Sequence, residues 1–260
     1  ENAVKEVKDG RVEFQDVSYS YNGKKDVLSH VNLTFESGKS YGIIGPTGSS
    51  KTTLVSLMAR LYDVREGAVK ISGIDVRDYD LVSLRDSVAV VLQKNVLFTG
   101  TIRDNLRWGK ADASDEEIFQ ACDIAQASEF IKSFPNGLDT MIVEGGNNVS
   151  GGQKQRLCIA RALLKDPKIL ILDDSTSACD THTDSLIRKG LKETKPEVTK
   201  FIIAQRVLSI MDCDKILGLD SGGKIIDFAD HNTLLERCDV YQELYRTQLG
   251  GGDFDETANA

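Results

Sequence analysis

The stretch YGIIGPTGSSKTT, residues 41–53, decides the fold of this chain. It opens with an apolar run, Tyr41 to Ile44, and continues as a loop rich in Gly, Ser and Thr. A helix is predicted directly after the loop, because apolar residues recur there at helical spacing, at Leu54, Leu57, Met58 and Leu61. A buried strand, a glycine-rich loop and a helix in this order predict an α/β domain.

The loop has the spacing GxxxxGK[ST] of a phosphate-binding loop, except that Ser50 stands where the second glycine belongs. Backbone N–H groups and a helix N-terminus can surround phosphates, Lys51 supplies a point charge, and the Thr52 hydroxyl can ligate Mg²⁺. The candidate nucleotide-binding residues here are Gly45, Thr47, Gly48, Ser49, Ser50, Lys51, Thr52 and Thr53. For this loop taken alone, a glycine-rich turn that binds nothing stays an alternative. If position 50 requires a positive φ, serine costs on the order of 1 kcal/mol, and nucleotide handling is weaker or slower.

Three further apolar runs end in polar residues. Val88 to Leu92 ends at Gln93, Ile169 to Leu172 ends at Asp173, and Phe201 to Ala204 ends at Gln205. Open α/β sheets bind ligands at the carboxyl ends of their strands. We therefore expect these three polar ends and the glycine loop to surround one pocket.

The remainder of the chain divides by pattern. Residues 11–36 alternate like antiparallel strands around an Asn22-Gly23 turn, and residues 95–165 are mostly helical, with a capping box at Ser114 and Glu117. A hairpin is predicted around Gly222-Gly223. The tail from Gly250 is predicted to be disordered.

Composition excludes several classes of protein. The net charge of −8, from 40 acidic and 32 basic residues, gives no basic field for nucleic acid. No apolar run reaches the roughly 18 residues of a membrane span. The five cysteines are scattered without a CxxC pair, which favours a reduced, cytoplasmic setting over a zinc site.

Downstream motifs carry a family resemblance. Val149 to Arg156, VSGGQKQR, resembles the LSGGQ signature of ABC ATPases, with Val for Leu. Ile169 to Asp174 resembles their Walker B strand, and Ser177 to Asp180 their D-loop. The order and spacing of these motifs over residues 11–246 are highly specific, and the segment Leu97 to Asn105 is similar to that of exporters. The chain thus resembles the nucleotide-binding domain of a multidrug or lipid ABC exporter.

The resemblance implies a RecA-like P-loop core with an N-terminal antiparallel β subdomain and an inserted helical subdomain. The core would comprise residues 11–94 and 166–249, and the helical signature subdomain residues 95–165. Residues 1–10 would be the linker from a missing transmembrane domain, so that the chain is an excised fragment, and residues 250–260 the tail.

Roles for single residues follow from the same resemblance. Tyr21 would stack on adenine, Gln93 would be the Q-loop glutamine, and Glu144 would lie near the transmembrane partner, as would Gln93. Mg²⁺ would be held by Thr52, Gln93 and Asp173. Two such domains face head to tail in the family, so another group of residues would serve the ATP of the partner: Ser150, Gly151, Gly152, Gln153 and Asp180.

The two hydrolytic positions also depart from the family pattern. Asp174 stands in place of the glutamate that polarises water, and its side chain is shorter by roughly 1.5 Å, whereas proton acceptance needs about 2.6 to 3.2 Å. Gln205 replaces the switch histidine and cannot carry its positive charge. With Gln93, these are the candidate catalytic residues. The chain therefore resembles the degenerate subunit of a heterodimeric exporter.

The expected function is an ATP-binding motor that dimerises around ATP and Mg²⁺ and drives export at the cytoplasmic face of the cell membrane. We expect an ABC-type ATPase with weak activity in the isolated chain. Its partners would be a second, different nucleotide-binding domain and a transmembrane domain, without nucleic acid. The alternatives are an SMC or UvrA-like repair ATPase, and a module that dimerises on ATP without turnover.

Overall fold

A computed structural model describes residues 3–249 of the chain. Its β-strands are β1 Val12–Tyr19, β2 Leu28–Phe35, β3 Ser40–Ile44, β4 Glu66–Ile71, β5 Ile74–Asp75, β6 Val88–Val91, β7 Gly100–Thr101, β8 Met141–Ile142, β9 Ile169–Asp173, β10 Thr199–Ile203, β11 Lys215–Leu219 and β12 Ile225–Ala229. Its α-helices are α1 Lys51–Met58, α2 Leu81–Ser87, α3 Ile102–Arg107, α4 Asp115–Ile124, α5 Ser128–Ser133, α6 Gly151–Leu164, α7 Thr181–Thr194, α8 His231–Arg237 and α9 Asp239–Leu249. The predicted disordered tail from Gly250 lies outside the described residues.

An antiparallel sheet forms the N-terminal part, in the order β2-β1-β4-β5. β1 pairs with β2 from Val12 opposite Phe35 to Tyr19 opposite Leu28, with two irregularities in the register. The antiparallel strands expected in residues 11–36 are confirmed. Their connection is longer than a two-residue turn, because residues 20–27 separate the strands, although Gly23 does adopt a positive φ of 69°.

A six-stranded sheet forms the centre, in the order β12-β11-β3-β10-β9-β6. All neighbours are parallel except β12, which turns back on β11 through the predicted Gly222-Gly223 hairpin. Parallel strands place their carboxyl ends at one edge. The loops that follow Ile44, Val91, Asp173 and Ile203 therefore emerge together.

Apolar side chains from the two faces of this sheet enter two separate cores. On β9, Leu170 and Leu172 face a core shared with α6 and the helical region, whereas Ile169 and Ile171 face a core shared with α1 and the antiparallel sheet. Side chains alternate faces along a strand, so a continuous apolar run is what a strand buried on both faces requires. The predicted α/β fold with its antiparallel sheet is confirmed.

The segment between the sheets is mainly helical and holds α3 to α6. Ser114 caps α4 as predicted, since its hydroxyl accepts from the N–H of Glu117 at 3.2 Å and Glu117 bonds back at 2.9 Å. The apolar face of α4 is buried against α6 and α7. Within residues 3–249, no helix combines the length and the apolar character needed to cross a bilayer.

Candidate nucleotide-binding site

The phosphate-type loop connects β3 to α1, and Ser50 is the N-cap of that helix. Its backbone is left-handed, with φ 65° and ψ 18°, and its side chain makes no capping hydrogen bond. Ser50 packs beside Gly223, where a side-chain carbon would lie 3.3 Å from Ser50 Cβ and 2.1 Å from the carbonyl oxygen of Val27. Position 50 therefore adopts the backbone that glycine favours and serine does not.

Lys51 closes the loop on itself. Its ammonium donates to the carbonyl oxygens of Gly45 at 2.7 Å and Pro46 at 2.8 Å, and to the hydroxyl of Ser49 at 3.1 Å. Burial lowers the pKa of Lys51, while the nearby carboxylates of Asp173 and Asp174 oppose that shift. Phosphate oxygens would offer this ammonium stronger, charged acceptors than carbonyls do.

Thr52 links the loop to the end of β9. Its hydroxyl donates to Asp173 Oδ2 at 2.7 Å, and Asp173 itself is only 7% exposed. Burial raises the pKa of Asp173. A hydroxyl beside a buried carboxylate is the kind of oxygen pair that Mg²⁺ takes along with water and phosphate oxygens, so these two residues fit the ion.

Asp174 has an unusual backbone as well. Its φ is 49°, and its N–H donates to the carbonyl oxygen of Ile203 at 2.8 Å. The carboxylate accepts from Gln93 Nε2 at 3.1 Å. Burial and the charge of Asp173 raise the pKa of Asp174, against a smaller opposing effect of Arg206.

Gln205 follows β10 and lines a cavity of about 500 Å³ together with Gly45, Thr47 and Lys51. The far wall of the cavity comes from α9, including Tyr241 and Leu244. Gln205, at the polar end of β10, therefore lies beside the loop. Hydrogen bonds join the other two strand ends to this region, from Thr52 to Asp173 and from Gln93 to Asp174.

Tyr21 contacts the first turn of α1. Its hydroxyl lies 2.6 Å from that of Thr53, and its ring contacts Tyr19 and Tyr62 with centroid separations of 5.0 and 5.4 Å. Tyr21 is 58% exposed and Tyr62 43% exposed. Tyr62 was missed from the sequence, where it stands alone after α1 without a motif. The rings of Tyr21 and Tyr62 are perpendicular to each other, so a flat base can stack on only one of them.

Ser150 begins α6 in a regular capping box. Its hydroxyl accepts from Gln153 N at 3.1 Å, and Gln153 Oε1 accepts from Ser150 N at 2.9 Å. This structural role of both residues was missed, although Ser followed by Gln three residues later is its sequence pattern. Among the described residues, no hydrogen bond joins this segment to residues 45–53.

Residues 150–153 instead pack on the turn before α7. A side-chain carbon on Gly152 would lie 3.0 Å from the carbonyl oxygen of Ala178. Gln155 is 4% exposed, donates to Ser177 Oγ at 3.1 Å and accepts from Ala178 N at 2.9 Å. Gln155 was also missed, because nothing in the sequence pairs it with a turn 22 residues away.

Asp180 and Glu144 were predicted to contact partner chains. In this chain, Asp180 caps a helix and Glu144 is exposed. Asp180 caps α7, accepting from Thr183 N at 2.9 Å, and these hydrogen bonds lower its pKa. Glu144 begins a short 3₁₀ turn and is exposed. Their contacts with partner chains stay predictions.

Comparisons with known proteins point to one family. A model described as ABC transporter matches residues 28–177. An ATP-dependent lipid A-core flippase of Desulfotalea psychrophila is 44% identical over 237 residues, 91% of this chain and 41% of the flippase. A putative multidrug export ATP-binding/permease protein of Bacillus subtilis is 43% identical over 240 residues, 92% of this chain and 41% of that protein. The solved structure of a bacterial Atm1-family ABC exporter with ATP bound matches with a TM-score of 0.91 at 36% identity, covering 95% of this chain and 43% of the exporter.

The chain belongs to the ABC transporter family, since the family model covers more than half of it. It is an ATP-binding domain of the α/β type that serves as the ATPase of such proteins. The chain spans about four tenths of the length of the relatives named above.

Proposed function

We propose that this chain binds MgATP through residues 45–53, pairs head to tail with a different nucleotide-binding domain, and drives export across a membrane. ATP on its own Walker residues is held and turned over slowly, while its VSGGQ segment completes a competent site on the partner. We call residues 45–53 together with Asp173, Asp174 and Gln205 the Walker side, and residues 149–153 the signature side. The observation that carries the proposal is the contrast between the altered Walker side and the regular start of α6.

The Walker side of the chain can hold the nucleotide. Lys51 exchanges its loop carbonyls for phosphate oxygens, and the exposed ring of Tyr21 stacks on the base. Thr52 and Asp173 would hold Mg²⁺, and Gln93, proposed as a further ligand, hydrogen-bonds to the adjacent Asp174. The ion supplies charge neutralisation of the phosphates.

The hydrolytic residues of the same side are poorly matched to their task. The carboxylate of Asp174 is hydrogen-bonded to the side-chain amide of Gln93, so one of its oxygens is already occupied. A shorter side chain also has to reach a water beside the terminal phosphate. Gln205 can donate a hydrogen bond to that phosphate but brings no positive charge.

The signature side is intact for use by a partner. Ser150, Gly151 and Gly152 stand at the N-terminus of the 14-residue helix α6, whose dipole favours a negative charge. Among the described residues, the side-chain hydrogen bonds of Ser150 and Gln153 are those of their own capping box.

The rest of the transporter is proposed by similarity. Relatives named a lipid A-core flippase and a multidrug export protein favour an amphipathic lipid or drug as the exported compound. The domain then works at the cytoplasmic face of the cell membrane. Gln93 and exposed Glu144 lie near its contact with the transmembrane domain.

Reconstitution of the full transporter with its partner tests the asymmetry. Asp174→Ala should lower steady-state ATP turnover by less than twofold, whereas the corresponding loss of the partner's glutamate should abolish it, because a catalytic base contributes about 100-fold or more. Equal and complete loss in both variants would show that the two sites are equivalent.

A further inference from the structure

One side chain of the C-terminal helix α9 holds both sides of the loop that bears Gln205. Gln248 Nε2 donates to the carbonyl oxygen of Gln205 at 2.7 Å, and Gln248 Oε1 accepts from the N–H of Val207 at 2.7 Å. Gln248 lies 43 residues beyond Gln205 in the chain. Both bonds are short, and they use one N–H donor and one acceptor position of the same carboxamide.

The loop needs such a partner because it lies past the end of the sheet. β10 ends at Ile203, and the last backbone bond toward β3 is that of Ala204 N with Ile43 at 3.3 Å. Arg206 is extended, with φ −94° and ψ 125°. The carboxamide of Gln248 therefore bonds the flanking carbonyl and N–H as a residue of a neighbouring strand would.

The same helix faces the phosphate loop across the cavity of about 500 Å³. Tyr241, Leu244 and Thr247 of α9 line this cavity together with Pro46 and Thr47 of the loop, and Gln205 lines it as well. Because Gln205 is exposed and begins a short loop, its direction depends on the backbone that Gln248 fixes.

We propose that Gln248 is a positioning residue that aims Gln205 at the terminal phosphate of ATP. The inference rests on the proposed role of Gln205. Without Gln248, a carbonyl and an N–H of the loop turn to water, and the side chain of Gln205 loses its fixed direction. Displacements of about 1 Å are enough to weaken such a contact strongly.

The test compares ATP and ADP, since ADP lacks the phosphate that Gln205 contacts. Titration calorimetry with Mg²⁺ would be run on this chain, its Gln248→Leu variant and the control Gln242→Leu, the same change on the same helix. We expect Gln248→Leu to weaken ATP binding about threefold to tenfold and leave ADP binding unchanged. The control should change neither. Equal weakening of both nucleotides, or no change, overturns the proposal.

Gln205→Ala separates this inference from the proposed function. Gln205→Ala should weaken ATP binding at least as much as Gln248→Leu does. The double variant should bind ATP no more weakly than Gln205→Ala alone. If Gln205→Ala leaves the preference for ATP unchanged, the phosphate contact proposed for Gln205 and the positioning role of Gln248 both fail. If Gln205→Ala reduces that preference and Gln248→Leu does not, only the positioning role fails.

Discussion

Ser50 and Ser150 are both N-cap residues, one on the Walker side and one on the signature side. They differ in backbone conformation and in side-chain hydrogen bonding. Ser150 before α6 has an extended backbone, with φ −66° and ψ 161°, and a complete capping box. Ser50 before α1 is left-handed, with φ 65°, and caps nothing. A residue type that stabilises one helix start is strained at the other. The signature side thus keeps regular geometry, while the Walker side carries the departures.

Restoring the hydrolytic pair is the change with the largest expected effect. Asp174→Glu combined with Gln205→His should raise turnover at this chain's own site about 100-fold, because the longer carboxylate can reach water and the histidine can carry charge. Turnover would be measured in the full transporter with the partner's own glutamate removed. Gln205→His alone serves as the control and should give a smaller rise. Unchanged turnover in the pair would mean that these positions do not limit the site.

The signature side should respond to a single methyl group. Gly152→Ala puts a carbon 3.0 Å from the carbonyl oxygen of Ala178, so the turn before α7 has to shift. We expect ATP turnover in the full transporter to fall about tenfold. Gly151→Ala, in the same segment, meets Ala178 Cβ at an ordinary 3.4 Å, so a loss in that variant would reflect the proposed contact with the partner's nucleotide and not packing on the turn. Equal losses in the two variants would remove the packing argument.

Ser50→Gly tests the strain on the Walker side. Relief of a left-handed serine is worth about 1 kcal/mol, or a rise of about 2 to 4 °C in Tm for a domain of this size. Differential scanning calorimetry of the chain measures it. Ser56→Gly, inside α1, should shift Tm in the opposite direction, since glycine costs up to about 1 kcal/mol in a helix interior. A lower Tm for Ser50→Gly would refute the strain.

A smaller effect concerns the charge of Asp173. Burial raises its pKa, so the folded state binds the proton more tightly than the unfolded state does, and stability falls as pH rises through that pKa. Asp173→Asn should therefore raise the Tm of the nucleotide-free chain by about 2 °C near pH 7. The difference in Tm between the Asp173→Asn variant and the parent chain should decrease as pH falls toward the ordinary pKa range of aspartate. A gap that stays constant with pH would point to a packing effect instead.

Local patterns in the sequence were sufficient for much of the fold. The apolar runs that become β3, β9 and β10 are buried on both faces of a parallel sheet, and such strands have no polar alternation to obscure them. The capping box at Ser114 could be read because both partners lie within one turn. Ser50 could be flagged because only one residue of the loop pattern differed.

Contacts between distant segments could not be read in the same way. Gln155 with Ser177, Tyr62 with Tyr21, and Gln248 with Gln205 each join elements through side chains that belong to no motif. Their pairing depends on how α6, α1 and α9 lie on the sheet, which one sequence does not state. The long connection between β1 and β2 also exceeded the Asn-Gly turn, because turn residues mark a bend without fixing the loop length.

The buried side chain of Gln155 links the signature side of the chain to the Walker side through hydrogen bonds. From α6 it grips the turn at Ser177 and Ala178, and the neighbouring carbonyl of Thr176 accepts from Arg206 at 3.2 Å, next to Gln205. A displacement at the start of α6, where the nucleotide of another subunit would press, has a short path of hydrogen bonds to this chain's own site. We therefore expect changes at the start of α6 to alter the hydrogen bond between Arg206 and Thr176.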